Sequence, residues 1–336
     1  MSPVRLHWAM LNTDADAAGN SLGYRTASVA LRDAVAAAGV EVTNDADTAL
    51  HFCHPANFEP IPGKVNYLFT MYEAMPVPPE FERGFAEADH VITPSKFCLD
   101  LFAPALKATR KRCSVVPLGF DPKLWTYELR RPPRDEGLRG PFVFQHCGAP
   151  NARKGAIRLA NAWKLAGFAQ CDDLLLYLKT TDENGLGKMV KLGNTIFDSR
   201  KLPRHDLVTL FHEAHCAVLP STGEGWGLIM QEALATGLPL ITTKYGGQLD
   251  FLDESVCSFV THTFDETTDI LGWTHREAFA DVGSLGRKML DVYRNYPRAL
   301  AKGARGALRM HSAWTWKHAG EKLRSVLEQL ERKAAA

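Results

Sequence analysis

Short apolar runs alternate with stretches in which apolar residues recur every three to four positions, almost from end to end of the chain. The first pattern predicts strands and the second helices. Strands are expected over Arg5–Leu11, Thr48–Cys53, Lys64–Phe69, His90–Thr93 and Cys113–Pro117. Helices are expected over Tyr24–Ala38, stopped by Gly39, and over Pro79–Ala88. Ser95 is placed to cap a further helix. A glycine-bearing loop, Asn12–Gly23, joins the first strand to the first helix. Asp121–Gly140, with Pro122, Pro132, Pro133, Gly137 and Gly140, has the composition of a linker. The alternation then restarts. Strands are expected over Phe142–His146, Asp173–Lys179, Thr195–Phe197, Cys216–Pro220 and Leu240–Thr243, and helices over Gly155–Ala166, His205–Ala214 and Leu228–Thr236. The tail reads as helical over Arg276–Tyr296, Pro297–Met310 and Trp314–Arg332. Strands alternating with helices imply parallel sheets with right-handed crossovers. Two such sets around a linker predict an α/β protein of two Rossmann-like, doubly wound domains facing a cleft.

Composition narrows the class. The 336 residues are enough for two cores, and 46% hydrophobic with 23% charged residues is ordinary for a globular protein in water. A formal net charge of +1 removes any global electrostatic argument for a polyanion partner. The seven cysteines are scattered and form no CxxC pair, which points to reduced thiols and a cytoplasmic setting rather than a disulfide framework or zinc site. Met1–Leu11 lacks the pattern of a signal peptide, and no apolar run approaches the roughly 20 residues that span a bilayer.

The most informative stretch is Pro220-Ser221-Thr222-Gly223-Glu224-Gly225-Trp226-Gly227-Leu228-Ile229-Met230-Gln231-Glu232-Ala233, which follows an expected strand and opens an expected helix. Ligands of open α/β sheets bind outside the carboxyl ends of strands. Glycines let a backbone approach a ligand closely, and a helix start offers free N–H groups and a positive dipole end to phosphate. Carboxylates repel phosphate, so Glu224 and Glu232 need another partner. A glutamate one turn into the helix can accept both hydroxyls of a ribose, and one in the loop can accept sugar hydroxyls. Diol, diphosphate and hydroxyls in sequence are what a nucleotide sugar offers. A plain helix-initiating turn is the competing reading of either glutamate alone, but three glycines and a tryptophan exceed what such a turn needs. The string is neither a GxGxxG nor a GxxxxGK[ST] loop.

EGWGLIMQE resembles the E-x7-E signature of the retaining family 4 glycosyltransferases, which have the GT-B fold. Pro220-Ser221 before it, and Ala233, Thr236, Gly237, Pro239, Thr242, Gly246 and Gly247 after it, agree with that family. Ala88–Ser95, Val116-Pro117-Leu118-Gly119-Phe120-Asp121 and Asp206–Ala214 resemble further family stretches, so the likeness runs over nearly the whole chain. It implies an acceptor-side domain over 1–122, a linker over 123–140, a donor domain over 141–311 and a closing helix over 312–336, opened by Trp314, that crosses back onto the first domain.

The resemblance also implies roles. Glu232 would hold the ribose and Glu224 the donor sugar, while backbone N–H groups around Gly225, Trp226, Gly227 and Leu228 would hold the distal phosphate. Lys154 matches the lysine that neutralises the diphosphate, and Ile196 the residue near the base. Asn20 and Gly23, in the first loop, would face the phosphates, and Glu73, after a strand, would point into the cleft. One departure stands out. The family has an arginine six residues before the lysine, where this chain has Gly148, and Arg153 is the candidate substitute. His54 and His146 read as core or surface histidines.

The implied activity is metal-independent transfer of a sugar, with retention, from a nucleotide diphosphate to a hydroxyl, with no cofactor. No paired-aspartate motif ends a strand, since Asp172-Asp173 begins one. The acceptor stays open among a saccharide, a lipid-linked glycan, a small metabolite, a protein and hydroxymethylated bases of DNA. An epimerase or phosphorylase of the same fold and a non-catalytic sugar-nucleotide binder are the competing functions. Lys107, Arg110, Lys111, Arg112, Arg130, Arg131, Arg134 and Arg139 could form an anion patch, but acids interleave and the reading adopted is a solvated surface.

Overall fold

A computed structural model of the protein describes residues 4–9, 21–130, 140–180, 187–268 and 272–334, and every count refers to these. Two compact units divide the chain: Met1–Phe120 with Thr268–His275 and Ala313–Ala336, and Asp121–Thr267 with Arg276–Ser312.

The first unit carries a six-stranded sheet of β1 (Arg5–Ala9), β2 (Glu41–Val42), β3 (Thr48–Phe52), β4 (Val65–Phe69), β5 (His90–Thr93) and β6 (Cys113–Val115). Their order is β2-β1-β3-β4-β5-β6 and the pairings are parallel. Helices α1 (Ser21–Ala37), α2 (Phe81–Glu87) and α3 (Lys96–Ala108) cover it. Phe58, Phe81, Phe85, Phe102 and Val91 are fully buried between strands and helices. The Ser95 hydroxyl accepts from Cys98 N at 3.1 Å and so caps α3. The first helix starts at Ser21, so Gly23 lies in its first turn and not in a loop, while Asn12 to Asn20 fall outside the described residues.

The end of α3 holds an unusual backbone. Arg110 N donates to Lys107 O and Lys111 N to Leu106 O, the paired bonds of a Schellman motif. The residue at its left-handed position is Arg110, with φ 55, where glycine is the favoured occupant. That backbone costs an L-residue about 1–2 kcal/mol. The roughly 0.3–1 kcal/mol that a cation gains at a helix C-terminus does not offset it fully.

The second unit carries a seven-stranded sheet. Its strands are β7 (Phe142–Cys147), β8 (Leu174–Lys179), β9 (Met189–Leu192), β10 (Thr195–Asp198), β11 (Cys216–Leu219), β12 (Leu240–Thr243) and β13 (Ser258–Val260), in the order β13-β12-β11-β7-β8-β10-β9. All pair in parallel except β9, which runs antiparallel to β10. Strands β14 (His262–Thr268) and β15 (Thr274–Ala280) form a separate two-stranded sheet. Helices α4 (Ala156–Leu165), α5 (Arg204–Glu213), α6 (Leu228–Ala235), α7 (Val282–Arg294) and α8 (Tyr296–Ala313) follow in chain order, and α9 (Trp316–Ala334) returns to the first unit. The second core gathers Phe144, Leu159, Trp163, Val218, Ile241, Leu285 and Met289.

Within the first unit α9 packs on α1 so closely that a Cβ on Gly320 would sit 2.3 Å from Ala34 O. Arg324 donates to Ala38 O at 2.7 Å, just past the end of α1. Helix α9 begins at Trp316, not Trp314, because the hydroxyl of Thr315 pairs with His318 Nδ1 at 2.8 Å and sets the cap.

Two expectations are corrected. Arg276–Tyr296 is not one helix: β15 occupies its start, then Asp281 caps α7 by accepting from Ser284 N. In β15 His275 and Glu277 point inward while Thr274 and Arg276 are exposed, so the strand's two-residue period is carried by polar residues and is invisible to a hydrophobicity reading. Arg130 is not a solvated charge. Its guanidinium donates to Phe211 O, His212 O and Ala214 O at 2.6–2.7 Å and to the Thr236 hydroxyl at 3.2 Å, tying together the C-terminal ends of α5 and α6. Arg131, Arg134 and Arg139 lie outside the described residues.

Candidate functional site

Strand order locates the site before any side chain is considered. From β7 the chain moves to β8 and β10 on one side of the sheet, then crosses to β11 and β12 on the other. The connections leaving β7 and β11, which are neighbours, diverge, and this switch point is where open α/β sheets bind ligands. Residues 148–155 follow β7 and residues 220–227 follow β11. The candidate residues Arg153, Lys154, Glu224, Gly225, Trp226 and Gly227 all lie on these two loops.

The loops are stitched to each other. Thr222 N donates to Arg153 O at 2.8 Å. Gly155, with φ 77, lies so near Pro220 that a Cβ there would come within 2.3 Å of its carbonyl oxygen. Gly247 N donates to Glu224 O at 2.7 Å and Ala278 N to Thr222 O at 2.9 Å, bracing the 220–227 loop from two more sides.

At the centre Glu224, 7% exposed, receives two cations. Lys154 Nζ donates to one oxygen at 2.7 Å and Arg153 Nη1 to the other at 3.2 Å, while the same Arg153 nitrogen donates to Gly223 O at 2.8 Å. Burial by itself would push the Glu224 carboxyl up; the charges of Lys154 and Arg153 outweigh it and hold the group at about 2. The Asn151 side chain accepts from Lys154 N through Oδ1 at 3.2 Å and caps the turn that carries both cations.

This arrangement explains the glycine at 148. A Cβ there would lie 3.1 Å from the Lys154 stem and 3.4 Å from His146 Nε2, so a side chain at 148 would require the lysine stem to give by a few tenths of an ångström. Arg153 reaches the same carboxylate from the other side. His146 is buried as expected of a core histidine, yet it also borders the site. Its Nδ1 donates to Val218 O at 2.9 Å, which leaves Nε2 an acceptor with no hydrogen-bond partner among the described residues. Burial, despite that bond, keeps the ring neutral at about 4.

Glu232 lies one turn into α6, and Arg204, at the start of α5, donates to it at 2.7 Å. Burial pushes the Glu232 carboxyl up to about 7 against the pull of Arg204. The Trp125 indole, fully buried, lies beside this carboxyl and adds to the pull that lowers it. The Trp226 side chain is turned into the core, against Phe251 at 5.1 Å and donating to Gln231 at 3.2 Å, so its backbone alone faces the loop's interior. Gly227, with φ 97, is the N-cap of α6, and the N–H groups of Leu228 and Ile229 have no intrahelical acceptor. Ile196 is half-buried on β10, paired with Tyr177 and Lys191.

In the first unit Glu73 is half-buried in the loop after β4, where Tyr24 donates to Met71 O at 2.5 Å. A Cβ on Gly23 would meet open space, and Asn20 lies outside the described residues. His54 belongs to an aromatic group, edge-on to Phe81 at 4.3 Å. Sequence reasoning missed Arg204, which stands 28 residues before its partner in a different element and carries no local signal. Among the described residues no group of three or more His, Cys, Asp or Glu could hold a metal ion.

The ionisation of Glu224 sets a pH dependence. Its carboxyl titrates at about 2 when folded, below its ordinary 4.5, so its contribution is complete above pH 4.5 and is lost as pH falls from there towards 2. The loss is on the order of 3 kcal/mol. Glu232 works oppositely: raised to about 7, it costs stability as pH climbs from 4.5 through 7. Urea unfolding of wild type and Glu224→Gln between pH 2.5 and 5 should show a shallower pH slope in the variant; parallel slopes would refute the ion-pair account.

Residues 201–323 match the family described as "Family 4 Glycosyltransferase in conflict systems". Glycogen synthase of Mycobacterium tuberculosis is 29% identical over 194 residues, which are 55% of this chain and 44% of that protein, so the chain aligns to less than half of that relative's length. In fold, the chain resembles a glycosyltransferase from Rickettsia africae, with TM-score 0.66, 9% identity and coverage of 98% and 99% of the two chains. It also resembles the Anabaena protein HepE in complex with UDP and glucose, with TM-score 0.60, 15% identity and coverage of 89% and 80%. These likenesses establish the GT-B fold.

Proposed function

For a chain of the family 4 glycosyltransferase type with a GT-B fold, we propose transfer of a sugar, with retention, from a nucleotide-diphosphate sugar to a hydroxyl acceptor. The observation that carries this reading is the convergence of Lys154 and Arg153 on buried Glu224, at the sheet's switch point and beside the uncapped start of α6.

The chemistry follows from those groups. The bond from the anomeric carbon to the distal phosphate oxygen breaks as an oxocarbenium-like state develops. The departing diphosphate gains charge, and Lys154 with the N–H groups at Gly227 and Leu228 stabilises it. Lys154 and Arg153 share the single negative charge of Glu224, which leaves the cluster one positive charge in excess. An entering diphosphate takes over their charge, which releases the Glu224 carboxylate to accept a hydroxyl of the sugar. Glu232 at the next turn accepts the ribose diol, with Arg204 holding it in place. The acceptor oxygen bonds to the anomeric carbon on the face the phosphate leaves, and its proton passes to the leaving phosphate oxygen. No step requires a metal or cofactor. The seven cysteines stand as free thiols, which suits a reducing, cytoplasmic setting. The Anabaena protein HepE forms a complex with UDP and glucose, and this makes UDP the first nucleotide to try.

The test is thermal unfolding with UDP, GDP and ADP, each beside Glu232→Ala. A nucleotide at 100 times its dissociation constant stabilises by about 2.7 kcal/mol, a shift of several degrees. One nucleotide should shift wild type and leave the variant unmoved. No shift from any of them at millimolar concentration would sink the reading.

A further inference from the structure

Arg110, Lys111 and Arg112 do not belong to the donor site. With Lys333, near the end of α9, they surround a cavity of about 610 Å3 in the first unit. Its floor is the amino-terminal edge of the parallel sheet: Tyr67 of β4, Asp89 and His90 at the start of β5, and Arg112 just before β6. Ligands of open α/β sheets bind outside the carboxyl ends of the strands, so this cavity opens at the other end of the same sheet.

Its charge is one-sided. Four lining residues are cations and one, Asp89, is a carboxylate, in a chain whose formal net charge is +1. Asp89 is already engaged, accepting from Asn66 N at 2.7 Å. Among the described residues none of the four cations forms an ion pair. A concave surface with an excess of one sign of charge focuses the field and concentrates the opposite ion, and here four cations outnumber Asp89 and the nearby Glu331. His90 reports that field: burial, and then Lys333 and Arg112, hold its ring at about 4.

A second, independent observation comes from the backbone. Arg110 is the one non-glycine among the left-handed residues described; the others are all glycines. Glycine would fit the Schellman position better, so the backbone itself gives no reason for an arginine there and the side chain is the place to look for one.

We propose that this cavity binds a small anion carrying clustered phosphates, held by charge-assisted hydrogen bonds from Arg110, Lys111, Arg112 and Lys333. Its concave outline and its volume suit a small ligand held at an open mouth. A nucleic-acid backbone needs instead a stripe of cations along one face. The site is separate from the sugar transfer proposed above and does not rest on it.

Inorganic tripolyphosphate is the probe, titrated calorimetrically into the whole chain at low ionic strength, where exposed charges are least screened. Affinity should fall about tenfold in Lys333→Ala and again in Arg112→Ala. Arg110→Gly should weaken binding by a similar factor while raising the unfolding temperature, a pairing that misfolding cannot produce. Lys154→Ala should retain this binding. Adenosine triphosphate and a hexose bisphosphate, as competitors, distinguish a nucleotide from a phosphorylated sugar as the source of the phosphates. Three results would overturn the proposal: no binding of tripolyphosphate, binding lost with Lys154 but not with Arg112, or binding of an oligonucleotide alone.

Discussion

Replacing Lys154 with alanine should lower turnover by roughly 10²–10³ while weakening donor binding by no more than about tenfold. The asymmetry follows from where charge develops. The diphosphate is already ionised in the ground state, and Arg153 and the start of α6 remain to bind it. The additional charge on the departing oxygen appears only in the transition state, and there the N–H groups at the start of α6 replace the lost ammonium only in part. The variant keeps one cation on Glu224, because Arg153 Nη1 stays 3.2 Å from its second oxygen, so folding should survive. Nucleotide affinity by calorimetry, set beside kcat and KM, checks this. A fall in affinity that matches the whole fall in turnover would remove Lys154 from leaving-group stabilisation and leave it a ground-state contact.

The largest stability effect should come from Arg130→Ala. Its guanidinium donates to three carbonyl groups at the end of α5 and to the hydroxyl of Thr236 at the end of α6. Hydrogen bonds to a charged group are the stronger kind, and the acceptors are left unpaired when the donor goes. A loss of about 3–4 kcal/mol follows. The unfolding midpoint should drop by roughly 5 °C. Arg130→Lys should recover little, since an ammonium cannot match a planar fork reaching several acceptors. Both variants are read by calorimetric unfolding, and a midpoint within about 2 °C of wild type would show the contacts to be incidental.

Legibility in the sequence tracked how local the responsible interaction is. The strands over His90–Thr93 and Leu240–Thr243 were readable to the residue because all of their side chains are buried and apolar runs mark them. The Ser95 cap was readable because its bond closes within three residues. The 220–232 string was readable because glycine spacing and helix start are themselves local. By contrast β15 hid behind inward-facing His275 and Glu277, and the edge strand β9, though Met189, Val190 and Leu192 are apolar, buries none of them and shows no two-residue alternation.

The chain by itself therefore determined the α/β class, most elements of both sheets, and the loop of Glu224 and the helix of Glu232, since periodicity and turn chemistry act between near neighbours. Tertiary structure alone decided which charges meet. It set Lys154 and Arg153, 70 and 71 residues from Glu224, on one carboxylate, and closed the position of Gly148 against the Lys154 stem. It paired Arg204 with Glu232, took Arg130 out of a presumed solvated cluster, and gathered Arg110, Lys111 and Arg112 around a cavity with Lys333 from the far end of the chain. Electrostatic partners follow distance in space, and a parallel sheet with long crossovers places in contact residues whose separation along the chain says nothing of it.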